Sequence, residues 1–234
     1  MGIFSRIAAA MAGGAGRVGA AMSGLRAVLR SLAQGAERRE VTFTIAMIAL
    51  SAKMAKADGV VTRSEIDAFC SIFAIPPGEE KNVARVYNLA KRDVAGFEAY
   101  AGDVKRLLGD DPEMLEAVLD GLFEIAKADG AVHERELAYL ARVAELFGLD
   151  AVAFAHVRAR HVIEEGADPF LVLNADPSWD FPRLQRQYRR LVTENHPDRL
   201  IARGVPEEFI RIANDRLAAI NAAWERIERM RVRA

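Results

Sequence analysis

The chain has 234 residues, 51% of them apolar, and a formal net charge of −1 at pH 7. This length and composition suffice for one or two domains with a packed hydrophobic core. The charge is unevenly spread, because residues 41–167 carry 21 acidic against 14 basic side chains. An acidic centre argues against nucleic acid as the main partner. The single cysteine, Cys70, excludes an internal disulfide and is expected in the core, which fits a reducing cytoplasm.

The first 40 residues form a basic segment rich in alanine and glycine. Its first four charged side chains are all positive: Arg6, Arg17, Arg26 and Arg30. Three interpretations of residues 1–36 are open: a flexible or partly helical tail, a peripheral contact with anionic lipid, and a membrane-spanning helix. A span is the least favoured, because Arg17 would lie at its centre, which costs roughly 2.5–3.5 kcal/mol.

From residue 41 to about residue 166 the chain is predicted to be helical. Apolar residues recur at helical intervals, and no segment alternates as a strand would. Gly148 is expected to end the helix that starts near Glu134, because glycine tolerates the left-handed backbone found at helix ends. Pro76–Gly78 and Gly109–Pro112 are expected to be loops. The pattern therefore predicts an all-α protein.

An internal repeat lies inside this helical region. Ala55–Ile66 matches Ala126–Leu137, with five consecutive identities followed by a valine and a glutamate in register. Such a repeat indicates two related helix–turn–helix units. Four acids occupy matched positions in the two copies: Asp58, Glu65, Asp129 and Glu136.

Two interpretations of these acids are open. In the first, they cap the turns, as the capping-box pattern Thr62-x-x-Glu65 indicates. In the second, all four surround one shared divalent cation. Their spacing is not that of an EF-hand loop, which needs further acids at alternate positions.

Near the C-terminus, two amphipathic helices are predicted on either side of a His-Pro-Asp tripeptide at residues 196–198. An apolar stripe at residues 184–191 precedes it, and a longer one at residues 209–227 follows. Two such helices with a short connection pack antiparallel. Pro197 disfavours helical backbone at His196, so the first helix should end there. The histidine and aspartate side chains are therefore expected on a stiff bend that faces solvent.

The helix before the tripeptide also carries a basic face. Four arginines lie opposite its apolar stripe: Arg183, Arg186, Arg189 and Arg190. Pro182 is tolerated only in a first turn, so this helix is predicted to begin at Asp180 or Phe181. Ahead of it, Asp168–Leu173 is expected to be a short helix with an aspartate cap and proline at its first position.

The tripeptide and its two helices resemble the J-domain of DnaJ-type co-chaperones, from about Asp168 to the C-terminus. Tyr188–Leu191 matches the family's Tyr-Arg-Lys-Leu segment, and His196–Leu200 followed by Gly204–Glu208 is closest to the DjlA-like branch. The repeat resembles the TerB-like domain, which DjlA-like proteins carry ahead of their J-domain. The predicted organisation is a basic segment at 1–40, a TerB-like helical bundle at 41–166 and a J-domain at 167–234.

The resemblance implies a co-chaperone that docks on a DnaK-type chaperone and stimulates its ATP hydrolysis. The residues implied in docking are His196, Pro197, Asp198, Arg183, Arg186, Arg189, Arg190 and Arg199. No catalytic residue and no required cofactor are implied, apart from a divalent cation as a candidate ligand of the TerB-like domain. That domain would bind a client protein, another partner or a metal ion, and the identity of the client is unknown. The expected location is cytoplasmic, with association at the inner face of the membrane as an option.

Two other classes of function are open to the sequence. An enzyme is disfavoured, because the histidines show no zinc-binding spacing and neither a P-loop nor a nucleophile motif is present. The four histidines are His133, His156, His161 and His196. The alternative is a scaffold or sensor protein of metal or tellurite stress with a degenerate J-like tail. ATP turnover by a DnaK-type chaperone, with the chain and with its His196→Gln variant, separates the two hypotheses.

Overall fold

The computed structural model describes residues 3–5, 7–8, 36–57, 69–70, 72–92, 96–109, 111–128, 132–161 and 168–232. All regular secondary structure within these ranges is helical, which confirms the all-α prediction. The helices are α1 Ala36–Ala57, α2 Glu80–Arg92, α3 Phe97–Leu108, α4 Pro112–Ala126, α5 Glu134–Phe147, α6 Ala151–His161, α7 Pro169–Val172, α8 Phe181–Glu194, α9 Pro197–Arg203 and α10 Ile210–Val232. A 3₁₀ turn, Glu207–Phe209, leads into α10.

Helix α1 runs through the centre of the N-terminal bundle. Every residue from Val41 to Met54 is buried, and α2, α3, α4 and α5 all pack against it. A helix that is apolar on all sides is expected at the middle of a bundle. The buried Thr44 hydroxyl donates to the Glu40 carbonyl at 2.9 Å, so the burial of this polar group is compensated.

Local sequence signals set two helix ends in the bundle. The Asp111 carboxylate accepts a hydrogen bond from the Met114 backbone N–H at 3.3 Å and so caps α4. Pro112, expected in a loop, is instead the first residue of α4, where its missing N–H is not needed. Helix α5 ends at Gly148, whose φ of +78° confirms the prediction of a left-handed glycine there.

Short helical stretches at residues 3–5 and 7–8 pack into the same core. Phe4 is fully buried, and the Ser5 hydroxyl donates to Glu79 Oε1 at 2.5 Å. In these residues the segment is helical and its apolar side chains pack on the bundle, while the tail and membrane interpretations of the whole segment stay predictions. Most of the basic segment lies outside the described ranges. Within those ranges, no helix is long and apolar enough to cross a membrane.

Helices α8 and α10 form an antiparallel hairpin. At the start of α8, Arg231 of α10 donates to the Trp179 carbonyl at 2.8 Å. At the other end of α8, Arg216 Nη1 donates to Asn195 Oδ1 at 2.7 Å. Between these contacts, the ring of Tyr188 stacks on Trp224, with 4.8 Å between the ring centroids. The hairpin predicted from the apolar stripes is thus confirmed.

Two N-terminal caps in this part also agree with the sequence. The Asp180 carboxylate accepts from the Arg183 N–H at 2.8 Å, and α8 begins at Phe181 with proline in its first turn. The Asp168 carboxylate accepts from the Phe170 N–H at 2.9 Å and caps the short α7.

The loop end of the hairpin shares its hydrophobic core with the bundle. The ring of Phe209 lies 5.2 Å from that of Phe43 in α1 and 4.8 Å from that of Phe73, measured between centroids. Four apolar neighbours of Phe209 belong to the same core: Leu200, Val205, Ile212 and Ala213. The Ala74 N–H donates to the Glu208 carbonyl at 3.0 Å, so backbone contacts cross this junction as well. Bundle and hairpin are thus joined more closely than the short linker alone predicts.

Candidate functional site

The tripeptide at residues 196–198 forms the turn between α8 and α9. Asn195 ends α8, and its backbone N–H donates to the Leu191 carbonyl at 2.9 Å. His196 is extended, with φ −64° and ψ 136°, as expected for a residue that precedes proline. Pro197 then starts α9, a short helix that the periodicity did not predict.

His196 and Asp198 project into solvent at this turn. Their side chains are 54% and 85% exposed. The Asp198 N–H donates to His196 Nδ1 at 3.2 Å, and the same nitrogen lies 3.6 Å from Asp198 Oδ2. The imidazole and the carboxylate are therefore held side by side, within reach of another protein, as the sequence predicts.

A basic surface flanks the turn. All five predicted docking arginines are exposed: Arg183, Arg186, Arg189, Arg190 and Arg199. Exposed guanidinium groups on a helix offer charge-assisted hydrogen bonds to carboxylates of a partner. The structure thus places the three loop residues and the five arginines on connected elements, α8 and α9.

Part of this basic surface borders a groove of about 840 Å³ between α8 and the segment that precedes it. Arg183, Arg186 and Arg190 line the groove together with Trp179 and Gln187. The Arg183 guanidinium lies over the Trp179 ring, 4.0 Å from its centroid. This stacking orients the arginine by a cation–π contact.

A buried charge network, which the sequence analysis missed, lies at the base of the turn. Asp120 of α4 is fully buried and accepts hydrogen bonds from Arg216 Nη2 of α10 and, at 3.2 Å, from Arg160 Nε of α6. His161 Nε2 lies 2.7 Å from the same carboxylate. Because Arg216 also binds Asn195, the network connects the bundle to the residue that precedes His196.

The network sets the charge state of its acids. Burial alone would raise the pKa of Asp120, but two guanidinium groups and an imidazole outweigh it and hold that pKa well below its usual range. Glu124 follows the same pattern. Burial would raise its pKa, whereas hydrogen bonds from His161 and Lys127 lower it. Both carboxylates are therefore ionised at neutral pH.

The sequence does contain a signal for this network. Arg216 falls at helical spacing between Ala213 and Ile220 and so occupies the apolar stripe of α10. Arginine is almost never fully buried without a partner, so its place on that stripe predicts a buried acid. The partner itself does not follow from the pattern, because Asp120 lies on another helix, 96 positions earlier.

Of the four acids of the repeat, Glu136 alone lies within the described residues. Its Oε2 accepts from the His133 N–H at 2.9 Å at the start of α5, as expected for a helix-capping glutamate. Asp58, Glu65 and Asp129 lie outside the described ranges, so the capping and metal interpretations of the group both stay predictions. Among the residues that the structure describes, no group of three or more potential ligands could hold a metal ion.

Comparison with known proteins finds related sequences for most of the chain. Residues 44–159 match the family model of the tellurite resistance protein TerB. The chain is 26% identical over 226 residues to the co-chaperone protein DjlA of Vibrio parahaemolyticus, which covers 83% of this chain and 80% of the relative.

Two further relatives bear the same name. The DjlA of Photobacterium profundum is 27% identical over 219 residues, or 82% of this chain and 79% of the relative. The DjlA of Legionella pneumophila is 26% identical over 227 residues, or 80% of this chain and 75% of the relative. No solved structure matches the chain significantly. Coverage of this extent includes parts of both the bundle and the hairpin.

Proposed function

We propose that this chain, a DjlA-like protein with a TerB domain, carries a J-domain after that domain and stimulates ATP hydrolysis by a DnaK-type chaperone. Its relatives are named co-chaperones, which supports a DnaJ-type co-chaperone rather than an enzyme. The observation that carries the proposal is the exposed turn at residues 196–198, where an imidazole and a carboxylate stand side by side next to a basic helix face.

The chemistry of this surface suits an acidic partner. A basic face speeds the encounter with an acidic surface and sets the orientation of the complex. The Asp198 carboxylate can accept a bidentate contact from an arginine of the chaperone. Because the turn is already fixed by Pro197 and by the bond between Asp198 and His196, little conformational entropy is lost on docking.

Steady-state ATP turnover by a DnaK-type chaperone tests the proposal. We expect stimulation by the parent chain and by His133→Gln, a control substitution in the bundle, but not by His196→Gln. The circular dichroism spectrum of His196→Gln should match that of the parent, because an exposed loop residue contributes little to stability. Stimulation by both the parent and His196→Gln, or by neither, would remove the proposal and leave the stress-scaffold hypothesis.

The basic face is tested separately by charge reversal. The double substitution Arg186→Glu and Arg190→Glu should raise the concentration for half-maximal stimulation by roughly tenfold, because like charges would then meet across the interface. Arg142→Glu, which reverses a 54% exposed arginine on the bundle, is the matched control and should have little effect. Added salt should weaken stimulation by the parent more than stimulation by the double variant.

We further propose the TerB domain as the part that receives a client or other partner, on the basis of its place beside the docking turn. Its shared core with the hairpin supports a fixed arrangement of the two parts. We therefore expect a client to bind on the surface of the bundle.

A further inference from the structure

We propose that Asp120 and Arg216 are positioning residues that hold the His-Pro-Asp turn, so that the bundle fixes the geometry of the docking loop. The activity part of this inference rests on the proposed function, whereas its structural part can be tested alone. The juxtaposition that carries it is a buried guanidinium with one nitrogen on an acid of α4 and the other on the residue before His196.

The side chain of Asn195 is held on both sides. Its Oδ1 accepts from Arg216 Nη1 at 2.7 Å, and its Nδ2 donates to the Leu191 carbonyl at 2.8 Å. Asn195 is buried, with 8% of its surface exposed, so water competes little for these bonds. The last turn of α8 and the residue next to His196 are therefore tied to the position of one guanidinium.

That guanidinium is anchored on the bundle. Arg216 is 2% exposed and binds Asp120, which is in turn held by Arg160 and His161 of α6. An acid with this many buried partners has a fixed orientation. The fork of arginine lets two nitrogens bind two acceptors at once, which the single ammonium of lysine does not match.

Other contacts between bundle and hairpin are separate from this link. Arg203 of α9 binds Asp111 at 2.6 Å, and Arg211 of α10 donates to the Ile72 carbonyl at 3.3 Å. Both contacts attach the hairpin to the bundle without involving Asn195. The link through Arg216, in contrast, reaches Asn195 beside the turn. Supporting groups such as Arg216 hold a functional site in its productive geometry.

Arg216→Lys is the main test, with Arg211→Lys as the matched control on the same helix. Arg216→Lys keeps a positive charge near Asp120 but loses the bond to Asn195. We expect Arg216→Lys to stimulate the chaperone roughly threefold to tenfold less at equal concentration. Arg211→Lys, which loosens a contact to the bundle away from the turn, should stimulate like the parent.

A second measurement, on the turn itself, needs no chaperone. In nitrogen-15 NMR spectra, the Asp198 amide and the Asn195 side-chain amide should shift in Arg216→Lys and stay in place in Arg211→Lys. Hydrogen exchange of the Asp198 amide should accelerate by roughly threefold to tenfold in Arg216→Lys alone. Unchanged spectra and exchange in Arg216→Lys, or equal changes in both variants, would overturn the inference.

Asn195→Ala is a further test, because it removes the oxygen that accepts from Arg216 and keeps the buried charges of Arg216 and Asp120. The double variant with Arg216→Lys should be no more impaired than Asn195→Ala alone, since both substitutions break the Arg216–Asn195 bond and Asn195→Ala also removes the bond to the Leu191 carbonyl. Additive losses would refute the link. If the parent chain fails to stimulate the chaperone, the proposed function falls, while the NMR comparison still decides whether Arg216 positions the turn.

Discussion

Asp120 is the residue on which the buried network converges, because Arg216, Arg160 and His161 all contact its carboxylate. Removing this acid leaves the buried guanidinium of Arg216 without the carboxylate it binds, whereas Arg160 keeps Glu116 and His161 keeps Glu124. We therefore expect Asp120→Ala to lower the free energy of unfolding by about 3–5 kcal/mol. Arg216→Ala should cost about 1.5–3 kcal/mol, the value of hydrogen bonds to charged groups, since Asp120 keeps two partners. Urea unfolding of the two variants measures both, and an equal loss would contradict this account.

The same carboxylate gives the chain a defined response to acid. The pKa of Asp120 is lowered in the folded chain although burial opposes this, because Arg216 of α10 and Arg160 and His161 of α6 face it. Below the ordinary aspartate pKa of about 4, the unfolded chain therefore binds a proton that the folded chain excludes. The stabilisation is complete at neutral pH and is lost as the pH falls from about 5 towards 2.

Urea unfolding of the parent and of Asp120→Asn at several pH values measures this contribution. The free energy of unfolding should fall more steeply with acidification in the parent, because the amide of the variant does not titrate. Glu124, whose pKa is also lowered, keeps some acid sensitivity in both proteins. Identical slopes would show that Asp120 does not contribute to the response.

Among the helices, α9 carries the docking turn at its start and a left-handed glycine at its end. Gly204 has a φ of +103°, which an L side chain adopts only at a cost of roughly 1–2 kcal/mol. We expect Gly204→Ala to lower the free energy of unfolding by about that amount. Gly102→Ala should instead stabilise the chain by about 0.5–1 kcal/mol, because Gly102 lies exposed inside α3 with open space around it. Thermal melting followed by circular dichroism compares the two.

The helices that sequence analysis predicted well are those with strong local signals. Asp180 with Pro182 sets the start of α8, and Gly148 sets the end of α5, through caps that involve only a few neighbouring residues. Helix α9 was missed because seven residues are too few to show a period. The buried network was missed because the Asp120–Arg216 pair joins distant helices, which no local pattern specifies.

The acids of the repeat make a prediction about the turns between helices. Glu136 already accepts the His133 N–H, as a capping residue does. We therefore expect Ca²⁺ or Mg²⁺ to leave the melting temperature of the chain unchanged. A rise in melting temperature with either ion, abolished by Asp58→Asn with Asp129→Asn, would instead establish the shared cation site.

For the whole molecule, the contacts of Phe209 predict that bundle and hairpin unfold together. This ring lies among aromatic side chains of the bundle, and truncating a buried phenylalanine to alanine costs about 3–5 kcal/mol. Both tryptophans, Trp179 and Trp224, belong to the C-terminal part. Their fluorescence therefore follows that part alone, whereas far-ultraviolet circular dichroism follows the entire chain.

The two signals should give coincident urea transitions in the parent, as expected for one cooperative unit. Phe209→Ala should shift both signals to lower urea concentration together. Separate midpoints in the parent would show that the two parts unfold independently in spite of their common core.

The continuity of the core through Phe209 and Arg216 limits how this hairpin can be exchanged between proteins. Consider a chimera in which the helical pair of another protein replaces residues 168–232. It would expose the ring of Phe43, which packs on Phe209, and it would remove Arg216 from Asp120. A graft would therefore have to bring matching aromatic and guanidinium groups with it. In this chain the C-terminal hairpin can be exchanged only for one whose bundle-facing side fits the helices on which it packs.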